Sequence, residues 1–73
     1  MKYTIILIPD DNGTFEVQVP AFPGLHTFGR TVDEAKANAR EAIELCLEDL
    51  RATGEPIPEE KQHPQALTIE VAA

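Results

Sequence analysis

Alternating apolar and polar residues predict a β-hairpin at the start of the chain. Lys2–Ile8 is rich in β-branched and aromatic residues, and Thr14–Val19 alternates strictly between apolar and polar side chains. Between them, Pro9–Gly13 carries turn chemistry, because its Asn-Gly pair is suited to positive φ. We therefore predict two antiparallel strands joined by a tight turn.

The first of these strands has apolar side chains on both faces. Its odd-numbered positions carry Tyr3, Ile5 and Leu7, and its even-numbered positions include Ile6 and Ile8. Because a strand of this kind is usually buried on both faces, we expect it to be central in the sheet. A short third strand, Leu25–Phe28, follows a Pro-Gly turn and ends at Gly29.

A helix is predicted from Thr31 to about Thr53. The Thr31 hydroxyl can accept from the Glu34 amide while the Glu34 carboxylate returns to the Thr31 amide, which is a capping box. Gly54 offers a left-handed C-cap. The side chains predicted to face the sheet are spaced by three and four residues: Ala35, Ala39, Ala42, Ile43, Cys46, Leu47 and Leu50.

The chain after the helix predicts a linker and a last strand. Glu55–Gln65 contains three prolines, and Leu67–Val71 alternates again, with Leu67, Ile69 and Val71 inward. A right-handed crossover through the helix would place this strand parallel to the first. The predicted fold class is α+β, a single-layer mixed sheet of order βββαβ with one helix packed on one face.

Length and charge limit the number of domains and the kinds of partner that the chain can bind. Seventy-three residues are expected to form a single domain, 1–73, that buries only about 60% of its unfolded surface, so a homo-oligomer, dimer or tetramer, is expected. Thirteen acidic residues against six Lys and Arg give a net charge of −7, which disfavours nucleic acid and favours a basic protein partner. The alternative is that the charge only maintains solubility.

The sequence offers no evident catalytic chemistry. It contains no serine, and Cys46 falls on the apolar stripe of the helix, where a thiol is a poor nucleophile. His26 and His63 have no further ligands at metal spacing. We therefore predict no enzyme activity, no cofactor and no metal. With one cysteine, no leader and no membrane span, a cytoplasmic location is expected.

Two surfaces are predicted to bind protein. Glu41, Glu44 and Glu48 repeat along the outer face of the helix with Arg40 nearby. Each like-charge pair costs about 0.2–0.5 kcal/mol, so a docking patch for a basic partner is one interpretation and a solvated face is the other.

The second surface is the side of the sheet that one helix leaves uncovered. We expect it to carry Thr4, Ile6 and Ile8, which are candidates for self-association. The alternative is that the linker covers this side with Ile57 and Leu67.

The middle of the chain resembles the HicB antitoxin family. Val19–Ala35 contains a Pro-Gly turn, a short strand and a Gly-x-Thr-x-x-Glu-Ala helix start, and Asn38–Leu45 continues with Asn-x-x-Glu-Ala. The resemblance implies a partial ribonuclease-H-like fold and an antitoxin that occludes a basic, mRNA-cleaving HicA-type toxin. Many members also carry a C-terminal DNA-binding segment, whereas this sequence stops at Ala73, so operator binding by this chain alone is not expected.

Two other functions stay open. An orphan oligomeric module that binds protein without a toxin partner fits the same residues. A ribonuclease-H-like nuclease would need carboxylates on its central strand to hold Mg²⁺, and Lys2–Ile8 contains none.

Overall fold

The protein is described by a computed structural model covering residues 1–72. Three antiparallel strands, β1 (Ile6–Pro9), β2 (Phe15–Gln18) and β3 (His26–Gly29), precede one long helix, α1 (Val32–Thr53). The strand order is β1-β2-β3, with Leu7 opposite Val17 and Val17 opposite Thr27. The prediction of an α+β fold with one sheet and one helix packed on it is confirmed.

The helix begins and ends where its caps require. The Thr31 hydroxyl accepts from the Glu34 amide at 3.0 Å, and Gly54 takes a left-handed φ of 72°, with its amide donating to the last turn. One detail of the predicted capping box is wrong: the Glu34 carboxylate accepts from the Arg30 amide, at 3.2 Å, and thereby satisfies a donor one residue before the cap.

The core lies between α1 and the odd-numbered side of the sheet. Val17 is fully buried, and Ala35 and Ala39 pack on it from the helix. A second cluster, around Val19, Phe22 and Ile43, continues the core along the helix. The Asn38 amide also donates to the Phe28 carbonyl at 2.6 Å, which ties α1 to β3. The predicted inward stripe of the helix is therefore confirmed at its buried positions.

The predicted position of the first strand is wrong. Strand β2 lies in the centre, β1 lies at an edge, and the sheet is antiparallel throughout, not mixed. Apolar residues on both faces of β1 suggested burial on both sides, but Ile8 is 39% exposed, since the side of the sheet away from α1 carries no second layer within residues 1–72.

The predicted last strand, Leu67–Val71, is not formed. Residues 61–72 are all exposed and take no regular structure. An alternating pattern makes a strand only where a sheet edge is available to pair with it, and here the chain leaves the domain after Glu60. The order βββαβ is therefore corrected to βββα for the described residues.

Candidate partner-binding surfaces

Three carboxylates form a continuous strip on the exposed side of α1. Glu41, Glu44 and Glu48 are exposed, and at 100° per residue they fall within about 60° of one another around the helix. Leu45 borders this arc on the Glu41 side and is 57% exposed. We call these four residues the acidic stripe. It combines negative charge with one large apolar side chain.

The carboxylates of the acidic stripe have no hydrogen-bond or ion-pair partner within residues 1–72, in contrast to those of Asp10, Glu34 and Glu60. The Asp10 carboxylate accepts from an amide of the hairpin turn, Glu34 accepts from the Arg30 amide before the helix cap, and Glu60 accepts from the Thr4 amide. By contrast, among residues 1–72 no cationic side chain lies within 4.0 Å of a stripe carboxylate. Their mutual repulsion is therefore not relieved within the protomer.

Arg40 lies apart from most of the stripe, beside a groove between α1 and the N-terminal segment. The groove has a volume of about 860 Å³ and is bordered by four of the six Lys and Arg residues: Lys2, Lys36, Arg40 and Arg51. Its floor is apolar and consists of Tyr3, Ile5, Ala39, Ile43 and Leu47. We call this feature the basic groove. Glu44 also lines it, so this residue lies on the boundary between stripe and groove.

Sequence reasoning missed the basic groove. The sequence places Lys36, Arg40, Leu47 and Arg51 at helical spacings of four, seven and four, which is a signal for one side of a helix. Lys2 is contributed by the N-terminal segment, and only the fold brings it to the same place.

The side of the sheet opposite α1 is the third surface. The core side chains of β1 and β2 are odd-numbered, so Ile6, Ile8 and Phe28 lie on the opposite side, where Phe28 is 59% exposed. Glu16 and His26 pair beside them at 3.6 Å. We call this side the open face. Ile6 and Ile8 lie where the self-association hypothesis requires, and Leu67, 81% exposed, does not cover them.

Thr4 is engaged by the protein's own linker. Its amide and hydroxyl donate to the Glu60 carboxylate at 2.9 and 2.8 Å, and the Tyr3 hydroxyl donates to the Pro58 carbonyl at 2.7 Å. His63 also contacts the Glu60 carboxylate. Burial raises the pKa of Glu60, but the hydrogen bonds from His63 and Thr4 outweigh it and hold that pKa below 4.5.

The described residues offer little for chemistry. No group of three or more His, Cys, Asp or Glu side chains within residues 1–72 could hold a metal ion. Cys46 is half-buried and packs against the Val19 cluster, as a core side chain does. Among the described residues, no helix combines the length and the apolar composition needed to cross a membrane.

Comparison with known proteins identifies similar sequences. The family model described as HicB_like antitoxin of bacterial toxin-antitoxin system matches residues 3–70. A UPF0150 protein of Thermoplasma acidophilum is 47% identical over 58 residues, which cover 80% of this chain and 84% of that protein. A UPF0150 protein of Synechocystis is 38% identical over 68 residues, which cover 93% of this chain and 86% of the relative.

A third UPF0150 protein, from Archaeoglobus fulgidus, is 44% identical over 48 residues, covering 66% of this chain and 70% of the relative. No solved structure matches the chain significantly.

Proposed function

The chain belongs to the HicB-like antitoxin family of bacterial toxin–antitoxin systems, and from that premise we propose that it inhibits a basic, HicA-type, mRNA-cleaving toxin by covering the toxin's RNA-binding surface. A protein that binds RNA needs cationic side chains for the phosphates. Carboxylates that bind the same cations compete directly with RNA. We propose that this happens in the cytoplasm, where the mRNA substrate is.

The observation that carries the proposal is the acidic stripe. Its carboxylates have no cationic partner within residues 1–72, and Leu45 beside them offers an apolar anchor. Interfaces commonly combine a desolvated apolar residue with charged groups around it. Opposite charge also accelerates the encounter of the two proteins.

The proposal assigns no catalytic step to this chain. Inhibition by occlusion requires only that the toxin surface be filled, and the half-buried Cys46 and the two separated histidines supply no activated nucleophile or metal site. The stripe residues act through charge and shape alone.

The test is a binding titration against a HicA-type toxin in a variant that no longer cleaves RNA. Glu44→Lys and Glu48→Lys should each raise Kd by about tenfold or more, and raising the salt concentration should weaken wild-type binding. Glu59→Lys is the matched control, since it makes the same charge change at an exposed linker residue away from the stripe. If both stripe variants bind within about twofold of wild type, the stripe is not the interface.

The alternative, an orphan oligomeric module without a toxin partner, is favoured by the open face. Ile8 and Phe28 are large, exposed and on one side of the sheet. The observation that separates the two functions is inhibition: an orphan module self-associates but leaves RNA cleavage by a HicA-type toxin unchanged.

A further inference from the structure

The segment Leu67–Val71 carries an apolar side that nothing within residues 1–72 covers. Leu67, Ile69 and Val71 are 81%, 79% and 73% exposed, and they alternate with Thr68 and Glu70. The Cα radius of gyration is 14.3 Å, against about 11 Å expected for a compact chain of this length, and the long axis reaches 50 Å. The segment therefore extends away from the domain with three apolar side chains in water.

Strand β1 presents a free edge of the sheet. The Asp10 amide donates to the Thr14 carbonyl across the hairpin at 2.9 Å, so even-numbered residues of β1 direct their main-chain groups toward β2. By the same alternation, the amide and carbonyl of Leu7, and of Ile5 just before the strand, point outward. These groups are available to an added strand.

The basic groove lies beside that edge, on the side of α1. Ile5 contributes to both core clusters and to the groove floor, where Ile43 and Leu47 of the helix face it. A strand added to the edge places every second side chain on the helix side. A segment with alternating apolar residues could therefore pair with the free edge and cover the apolar floor at the same time.

We propose that Leu67–Val71 of a second copy of this chain pairs with the outer edge of β1 and places Leu67, Ile69 and Val71 in the basic groove. The exchange is mutual, because a two-fold dimer presents the same edge and the same segment on each protomer. The alternation places Thr68 and Glu70 on the other side of the added strand, so only apolar side chains of the segment meet the apolar floor of the groove.

The second copy is favoured over the protomer's own segment by the way the linker is held. Pro58 and Glu60 are hydrogen-bonded to Tyr3 and Thr4, and residues 61–72 are all exposed. The chain thus leaves its own domain directly after this attachment. The four cations also reduce the repulsion between two protomers that each carry a net charge of −7.

The test compares Ile69→Lys with Thr68→Lys in the full chain by native mass spectrometry and light scattering. Both residues are exposed in the protomer, so neither substitution can unfold it. We expect Thr68→Lys to keep the wild-type assembly mass, and Ile69→Lys to give half that mass or less, with a dimer dissociation constant raised by at least about tenfold.

A mixture of isotope-labelled and unlabelled chains identifies the donor of the strand. Contacts between the Ile69 and Leu47 methyl groups should appear between chains by filtered NMR. A monomeric wild type, an Ile69→Lys variant with unchanged mass, or the same methyl contacts within one chain would each overturn the proposal. Retention of the assembly in Ile69→Lys together with its loss in Phe28→Lys would assign self-association to the open face instead.

Discussion

Gly29 lies directly against the backbone of Ala35, where β3 gives way to α1. A β-carbon on Gly29 would lie 2.4 Å from the Ala35 amide nitrogen and 2.5 Å from its Cα. Contacts this short do not occur between real atoms, so the hydrogen of glycine is what lets the first turn of the helix approach the strand. Because Ala35 is fully buried on Val17, the helix cannot move away without opening the core.

Gly29→Ala should therefore destabilise the protein by about 1–3 kcal/mol, as overpacking of a filled core does. The measurement is the free energy of unfolding from urea titration. Adding Ala35→Gly should not restore stability, because the closest contacts are with backbone atoms that this second change leaves in place. A Gly29→Ala protein as stable as wild type would show that β3 and α1 are less closely packed than described.

Asp10 should be more important for the hairpin than its neighbour Asp11. The Asp10 carboxylate accepts from the Thr14 hydroxyl and from the amides of Asn12 and Thr14, and these bonds lower its pKa from 3.8. Asp10→Asn replaces one carboxylate oxygen by an NH2 group and removes the negative charge, which weakens these hydrogen bonds and should lower Tm. Asp11→Asn, which makes the same charge change in the same turn, should leave Tm unchanged. Equal effects of the two substitutions would indicate that net charge, and not the turn, is responsible.

Tyr3→Phe should loosen the linker without disturbing the core. The hydroxyl donates to the Pro58 carbonyl, whereas the ring packs edge-on against Phe22 with centroids 5.1 Å apart. The phenylalanine ring keeps that packing and loses only a bond worth about 1 kcal/mol. Amide hydrogen exchange should become faster in residues 57–60 and stay unchanged in α1. Faster exchange throughout α1 would mean that the hydroxyl supports the whole domain.

Attachment of the linker should depend on pH through Glu60. Its pKa is lowered in the folded state, so the stabilisation is complete above about 4.5 and is lost as the pH falls through the lower folded value. The Thr4 amide resonance, followed by NMR during acid titration, should report that loss. Glu60→Gln should show no corresponding transition, since the amide does not titrate. A Thr4 resonance that responds equally in both proteins would assign the transition to another group.

The elements fixed by neighbouring residues were predictable from the sequence. Thr31 and Gly54 set both ends of α1 through bonds within a few residues, and the hairpin turn at Asp10 is equally local. The last strand was not predictable, because its pattern is satisfied only if an edge of the sheet is available, and the chain leaves that edge at Glu60. The central position predicted for β1 is also wrong, because apolar residues on both faces indicate burial only where a second layer covers the sheet, and no such layer lies on the open face within residues 1–72.

The candidate surfaces likewise differ in whether they depend on neighbouring residues or on contacts between distant parts of the chain. Glu41, Glu44 and Glu48 could be recognised as a strip because helical spacing is a local property. The basic groove needs Lys2 beside Arg40 and Arg51, residues about 40 or more positions apart along the sequence, and only packing of the N-terminal segment against α1 brings them together. The role of Tyr3 and Thr4 in holding the linker also depends on contacts across more than 50 positions.

Helix α1 carries the two signs of charge on adjacent sides, the acidic stripe on one and the basic groove on the next, with Glu44 at the boundary between them. Salt limits the reach of surface charge to about 8 Å under physiological conditions. An approaching molecule therefore responds to the side it meets and not to the total of −7. The molecule is therefore polarised around one helix: the side from which another molecule approaches decides whether it meets carboxylates or cations.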